Sequence, residues 1–139
     1  MQVNRGIDMR ILIAEDDQAS ARYMEGLMSR FGECVVTSDG EQAVTAFAAA
    51  LNEARPFQLL CLDIMMPHKS GQEVLQEIRA LEQQRGIKAN QEAKVVMTTA
   101  LGDVRSVMSA YKEGATAYVT KPIVPERMIE TLRNLGISI

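Results

Sequence analysis

Short apolar runs alternate with stretches in which apolar residues recur at helical offsets along the whole chain. Residues 10–15 form the first strand-like run, and Met24, Leu27, Met28 and Phe31 follow it three or four residues apart, as one buried helix face requires. The second run, 34–37, leads into Ser38-Asp39-Gly40-Glu41, which has the spacing of a capping box, and Val44, Phe47, Ala48 and Leu51 then predict a second helix. Residues 57–63 are almost continuously apolar and end in a carboxylate. A parallel strand covered on both faces reads this way, so this run is predicted to be central.

Ser70-Gly71-Gln72-Glu73 repeats the capping-box spacing ahead of Val74, Ile78 and Leu81, a helix that fades near Gly86. Residues 94–99 are a fourth strand. Val104, Val107, Met108 and Tyr111 predict the helix after it, which Gly114 closes. A short fifth run, 117–120, meets Lys121-Pro122, and Pro125 suits the first turn of a final helix carrying Met128, Ile129, Leu132 and Leu135 up to Gly136.

Five β-α units in 139 residues argue for an α/β fold with a doubly wound parallel sheet and right-handed crossovers. Periodicity supplies that class but not the strand order. We expect one domain over 1–139, with its core at about 9–136. The polar stretch from Gln83 to Asn90 reads as a solvated loop, and the chain contains no internal repeat.

Composition narrows the setting. The chain is 47% hydrophobic and 24% charged, and no apolar run approaches the roughly 18 residues of a membrane span. The first ten residues lack the apolar stretch of a secretory signal, so a cytoplasmic protein without membrane insertion is expected. A net charge of -3 without a Lys/Arg cluster gives no footprint for direct nucleic-acid binding. Cys34 and Cys61 lack metal-ligand spacing and fall in strand-like runs, so both are expected buried and reduced. The nine methionines scatter over several helical faces and read as core filling.

Ligands of open α/β sheets bind beyond the carboxyl ends of the strands. Glu15 and Asp16 stand at the end of the first strand, Asp63 at the end of the third, Thr99 at the end of the fourth, and Lys121 just after the fifth. Three carboxylates brought together repel and raise one another's pKa, and a hard divalent cation such as Mg2+ resolves the conflict. With that ion beside it, Asp63 can act as an ionised nucleophile towards a phosphoryl group, while Lys121 and the Thr99 hydroxyl can bind the phosphoryl oxygens. Asp17 reads as a loop or helix-start carboxylate outside the metal shell, and His68, without a partner, as a loop residue.

The motifs IAEDD (13–17), LDIMMP (62–67), TTA (98–100) and YVTKP (118–122) resemble, in order, those of the response-regulator receiver family, the CheY-like receivers, over nearly the whole chain. The resemblance implies a flavodoxin-like (βα)5 fold with strand order 2-1-3-4-5. That order separates the Cys34 and Cys61 strands by two places, about 10 Å, too far for a disulfide. It implies a phosphoacceptor at Asp63 and Mg2+, with Mn2+ able to substitute, bound by Asp63, directly by Asp16, largely through water by Glu15, and by the Met65 backbone carbonyl. Thr99 and the adjacent Ala100 would meet the phosphoryl group with Lys121, and Thr99 and Tyr118 would be the switch hydroxyl and aromatic.

It further implies a signalling phosphoacceptor of a two-component phosphorelay, not a conventional enzyme, that promotes its own phosphorylation and dephosphorylation. The donor would be a sensor histidine kinase or histidine phosphotransfer protein. A downstream effector would be addressed in trans through the face of the 104–111 helix, the fifth strand and the last helix. Met65 and Leu101 occupy the positions that tune the lifetime of the phosphorylated state, and both are apolar. Gly114 to Tyr118 lacks the acidic stretch of receivers resembling the OmpR family, so their activated dimer is not expected.

Two alternatives fit less well. A small Mg2+-dependent phosphohydrolase would carry a second acid in the Asp63-Ile64-Met65 loop, and a flavodoxin-like cofactor carrier would carry a phosphate loop where Glu15 and Asp16 stand.

Overall fold

The structure is a computed structural model and describes residues 9–100, 114 and 117–139. Its strands are β1 (Arg10–Ala14), β2 (Glu33–Thr37), β3 (Leu59–Asp63), β4 (Lys94–Thr99) and β5 (Ala117–Thr120). Its described helices are α1 (Gln18–Met28), α2 (Gly40–Asn52), α3 (Gly71–Gln84) and α4 (Pro125–Asn134), with a 3-10 turn over Ala89–Gln91. All strand pairs are parallel and the order is β2-β1-β3-β4-β5, the order the family resemblance implies. The helix expected over 104–111, with Leu101, lies outside the described residues.

Alternation along the strands divides the core in two. Leu12, Leu60, Leu62, Val95 and Met97 face α2 and α3, whose Phe47, Val74 and Ile78 cover them. Ile11, Ile13, Leu59, Cys61 and Val96 face the opposite way, under Met24 and Met28 of α1 and Met128 and Leu132 of α4. Every residue of β3 is buried, as expected of the central strand, and each fully buried leucine there contributes roughly 1.5–3 kcal/mol. Among the described residues no helix is long and apolar enough to cross a membrane.

Helix starts follow the side chains that can satisfy their free N–H groups. At α3 the capping box forms as expected: the Glu73 amide donates to Ser70 Oγ at 3.2 Å, and the Ser70 amide donates to Glu73 Oε1 at 3.1 Å. At α2 the cap lies one residue beyond the expected start. Asp39, not Ser38, accepts from the Gln42 amide at 2.8 Å, and Gln42 Oε1 instead accepts from the amide and the hydroxyl of Ser38. The third strand begins at Leu59, not 57. Phe57 is nevertheless buried, with the Arg10 guanidinium 4.5 Å from its ring centroid.

The stretch from Gln83 to Asn90 is exposed as expected apart from the half-buried Ile87, and a buried acid lies just before it, in the last turn of α3. Glu82 is only 1% exposed; it accepts from Arg79 Nη1 at 2.7 Å and from the Ala93 amide at 2.8 Å. Arg79 also donates to the Ala93 and Gly114 carbonyls, so the pair joins the end of α3 to the residues before β4 and β5. Cys61 is buried as expected, whereas Cys34, on the edge strand β2, is only half-buried, and both are free thiols.

Two outcomes follow from this packing. Glu82→Ala leaves the Ala93 amide without its acceptor and the part-buried Arg79 guanidinium without its counter-charge, and should cost about 1–3 kcal/mol of stability in urea denaturation; a loss near zero would show that the pair contributes nothing. Burial pushes the Cys61 thiol up to about 12 and raises that of Cys34 as well, so little thiolate exists at pH 8. Iodoacetamide should therefore spare Cys61 in the native protein and modify Cys34 slowly, and both should react quickly once urea unfolds the chain.

Candidate functional site at the carboxyl end of the sheet

Parallel strands of nearly equal length finish on one side, and their terminal residues supply the polar groups there. The Glu15 amide donates to the Thr37 carbonyl at 3.0 Å, which extends the β1–β2 ladder one residue past β1 and holds the side chain in the crevice, 4% exposed. Asp63 ends β3 and is also buried; its Oδ1 accepts from the Met65 amide at 3.2 Å. Asp16 lies at the exposed rim. One carboxylate oxygen from each of Glu15, Asp16 and Asp63 lies within 4.8 Å of the others, so the structure gathers the three expected acids.

Lys121 reaches into the same crevice from the residue after β5. Its Nζ donates to Glu15 Oε1 at 2.6 Å and to Asp63 Oδ2 at 3.1 Å. Burial works against the ammonium charge, but the two acids outweigh it and hold the Lys121 pKa above the ordinary lysine value. Burial raises the Glu15 pKa, and Asp63 adds to the rise while Lys121 and the Asp17 amide oppose it. One ammonium cannot balance three carboxylates, and the remaining charge sits on hard oxygen donors. This donor set of Glu15, Asp16 and Asp63 fits a small divalent cation.

The remaining expected residues stand around this cluster. Thr99 is buried at the end of β4, its hydroxyl donating to the Ala100 carbonyl at 3.3 Å, and its own carbonyl accepts from the Lys121 amide at 2.7 Å. Ala100 is exposed beside it. Met65 projects its side chain into solvent two residues after Asp63, 68% exposed, and Tyr118 on β5 is exposed as well. His68 is exposed in the loop with a φ of 68°, and Asp17 caps α1 by accepting from the Ser20 amide at 2.9 Å.

Tyr23 is a residue that sequence reasoning missed. From α1 its hydroxyl donates to the Ile123 carbonyl at 2.9 Å, across an open cleft of about 660 Å³ that reaches Glu15 and Lys121. It ties α1 to the turn that begins with the cis Lys121-Pro122 peptide. Tyr23 precedes the apolar stripe of α1, and no motif in the sequence marks it.

Comparison with known proteins agrees with this arrangement. A family model described as "Response regulator receiver domain" matches residues 11–133. The chain is 32% identical over 136 residues to "Probable transcriptional regulator ycf27" of Cyanophora paradoxa, covering 97% of this chain and 50% of that protein. It is also 32% identical over 125 residues to "DNA-binding response regulator MtrA" of Mycolicibacterium smegmatis, covering 89% of this chain and 49% of that one. The chain thus spans about half the length of these curated relatives. Among solved structures, the receiver domain of the histidine kinase CKI1 from Arabidopsis thaliana, complexed with Mg2+ and BeF3-, superposes with a TM-score of 0.79 at 18% identity, covering 96% of this chain and 93% of that one.

If these acids hold a divalent cation, the two exposed neighbours in Asp16-Asp17 should differ sharply. Asp16→Ala should weaken Mg2+ binding by calorimetry about tenfold or more, whereas Asp17→Ala, which removes only a helix cap, should leave it nearly unchanged. Equal losses would place the wrong acid in the cluster.

Proposed function

The chain belongs to the response regulator receiver family, a signalling family of two-component systems, and on that premise we propose that Asp63 accepts a phosphoryl group from a sensor histidine kinase or histidine phosphotransfer protein. The observation that carries the proposal is the double salt bridge of Lys121 to Asp63 and Glu15, beside Asp16, at the open end of the sheet. A buried carboxylate oxygen held 3.1 Å from an ammonium that can also receive the phosphoryl oxygens is well placed for nucleophilic attack.

Asp16 and Asp63, the Met65 carbonyl and, largely through water, Glu15 would hold Mg2+, for which Mn2+ can substitute. When bound, the ion neutralises charge that builds on the phosphoryl oxygens. An Asp63 carboxylate oxygen forms the new bond to phosphorus as the bond from phosphorus to the donor imidazole nitrogen breaks, and the electron pair leaves with the imidazole. Lys121 needs only to swing its ammonium from the carboxylates to the incoming phosphoryl oxygens, which lie within reach of the same side chain. Thr99 and the exposed backbone at Ala100 complete the phosphoryl contacts.

Thr99 then moves towards the phosphoryl group and Tyr118 turns inward from its exposed position. A downstream effector reads the altered face of β5, α4 and the helix expected over 104–111, which lies outside the described residues. Met65 offers no hydrogen bond to a water in line with the Asp63–phosphorus bond, which favours a long-lived phosphorylated state; Leu101 is its counterpart outside the described residues. We place the receiver over the whole chain and in the cytoplasm, where its phosphoryl donors act.

Incubation with acetyl phosphate and Mg2+ tests the acceptor. Wild-type protein should gain one labile phosphate by intact mass, and Asp63→Asn should gain none, because its amide lacks the anionic oxygen. Undiminished labile phosphate on Asp63→Asn would move the acceptor elsewhere.

A further inference from the structure

Helices α2 and α3 both begin with a buried glycine that abuts the segment following Asp63. A Cβ placed on Gly71 would lie 2.4 Å from the Asp63 carbonyl oxygen, 3.0 Å from its carbonyl carbon and 2.9 Å from Cε of Met97. One placed on Gly40 would lie 2.4 Å from the Lys69 carbonyl oxygen, 2.6 Å from Lys69 Cβ and 2.9 Å from Cγ2 of Val74. The methyl groups of Met97 and Val74 can turn aside. The two carbonyls are main chain and can move only if the backbone moves. Neither glycine has a positive φ, so what each position demands is space and not an unusual conformation.

Between these contacts runs the loop of residues 64–70, which carries Met65. It is fixed at its start by the Ile64 amide, which donates to the Thr98 carbonyl at 3.0 Å, and closed by the Gly71 amide, which donates to the Ile64 carbonyl at 2.9 Å. Within it the Lys69 amide donates to the Pro67 carbonyl at 2.7 Å, and His68 takes its left-handed conformation. The loop is therefore pressed from one side by its own helix at Asp63 and from the other by α2 at Lys69.

We propose that Gly40 and Gly71 are positioning residues for phosphoryl transfer: by letting α2 and α3 close on the 64–70 loop, they set where the Asp63 carboxylate and the Met65 carbonyl stand. The proposal rests on the reading of Asp63 as the phosphoacceptor. Ordinary contact begins near 3.4 Å, so a methyl at Gly71 displaces the Asp63 carbonyl, or α3 itself, by about 1 Å. Asp63 Oδ2 is 3.1 Å from Lys121 Nζ, and a displacement of that size breaks the contact. Misplacing a reacting group by 1 Å costs about a hundredfold in rate. Gly40 acts one step further away, through Lys69, and its effect is correspondingly smaller.

The test compares wild type, Gly71→Ala, Gly40→Ala and Gly26→Ala for the rate of Asp63 phosphorylation by acetyl phosphate, Mg2+ affinity by calorimetry, and folding by circular dichroism. Gly26 lies on α1 with nothing within 4 Å of an added Cβ, so its variant controls for the effect of a glycine-to-alanine change in a helix. Folded Gly71→Ala should be phosphorylated about a hundredfold more slowly and Gly40→Ala about tenfold, both with weakened Mg2+ binding, while Gly26→Ala matches wild type. Wild-type rates and Mg2+ affinity in folded Gly71→Ala and Gly40→Ala would overturn the proposal. If wild type itself takes no phosphoryl group, the reading of Asp63 fails instead. Should neither variant fold, Mg2+ titration of 15N-labelled wild type decides: the Gly40 and Lys69 amides should shift with the midpoint of Asp63, and unmoved amides there would refute the coupling.

Discussion

One carboxylate oxygen from each of Glu15, Asp16 and Asp63 lies within 4.8 Å of the others, and burial takes Glu15 and Asp63 out of water, which is costly unless a cation stands beside them. Lys121 makes the arrangement tenable. Its ammonium bridges Glu15 and Asp63, and this pairing needs β1, β3 and β5 to end at one level with the turn after β5 folded back over them. The parallel register supplies the common level, and the backbone bond from Lys121 to Thr99 carries the ladder one residue past β5. The same crowding leaves negative charge unmatched on hard oxygen donors.

A rigid sheet alone would not hold such a cluster, since all its members stand at strand ends or in loops. Each loop is secured by a different element: Asp17 caps α1 directly after the acids, Tyr23 fastens the turn beyond Lys121, and Gly71 brings α3 against Asp63 itself. At the other end of the sheet Arg79 and the buried Glu82 join three segments in one partly buried network. The charged network of Arg79 and Glu82 and the acid cluster thus occupy opposite ends of the strands.

The fold is shared far more widely than the sequence. At 18% identity to the CKI1 receiver domain the backbone still superposes with a TM-score of 0.79, because a doubly wound sheet asks only for apolar character with the right period. A fold of this kind hosts many functions, so the functional reading rests on the acids, the lysine and their spacing.

The sequence determined the class of the fold, the bounds of the five strands to within about two residues, and the strand ends at which the polar residues collect, whereas the stripe read for α1 ran to Phe31, three residues past its end at Met28. These are local matters: apolar period, capping side chains, and a carboxylate or lysine closing a strand each act over a few residues and are visible there. Ser38 was the local exception, since two neighbouring residues could both cap α2 and only the path of the chain into the helix selected Asp39. Everything that joins residues distant in the chain was decided by tertiary structure. No pattern announces that Lys121 is shared between Glu15 and Asp63, that Tyr23 reaches Ile123, that Glu82 in the last turn of α3 is buried, or that Gly40 must leave room for Lys69. Such contacts depend on how closely packed elements approach one another, and a few tenths of an ångström there are set by the whole packed interior, not by any segment of the chain.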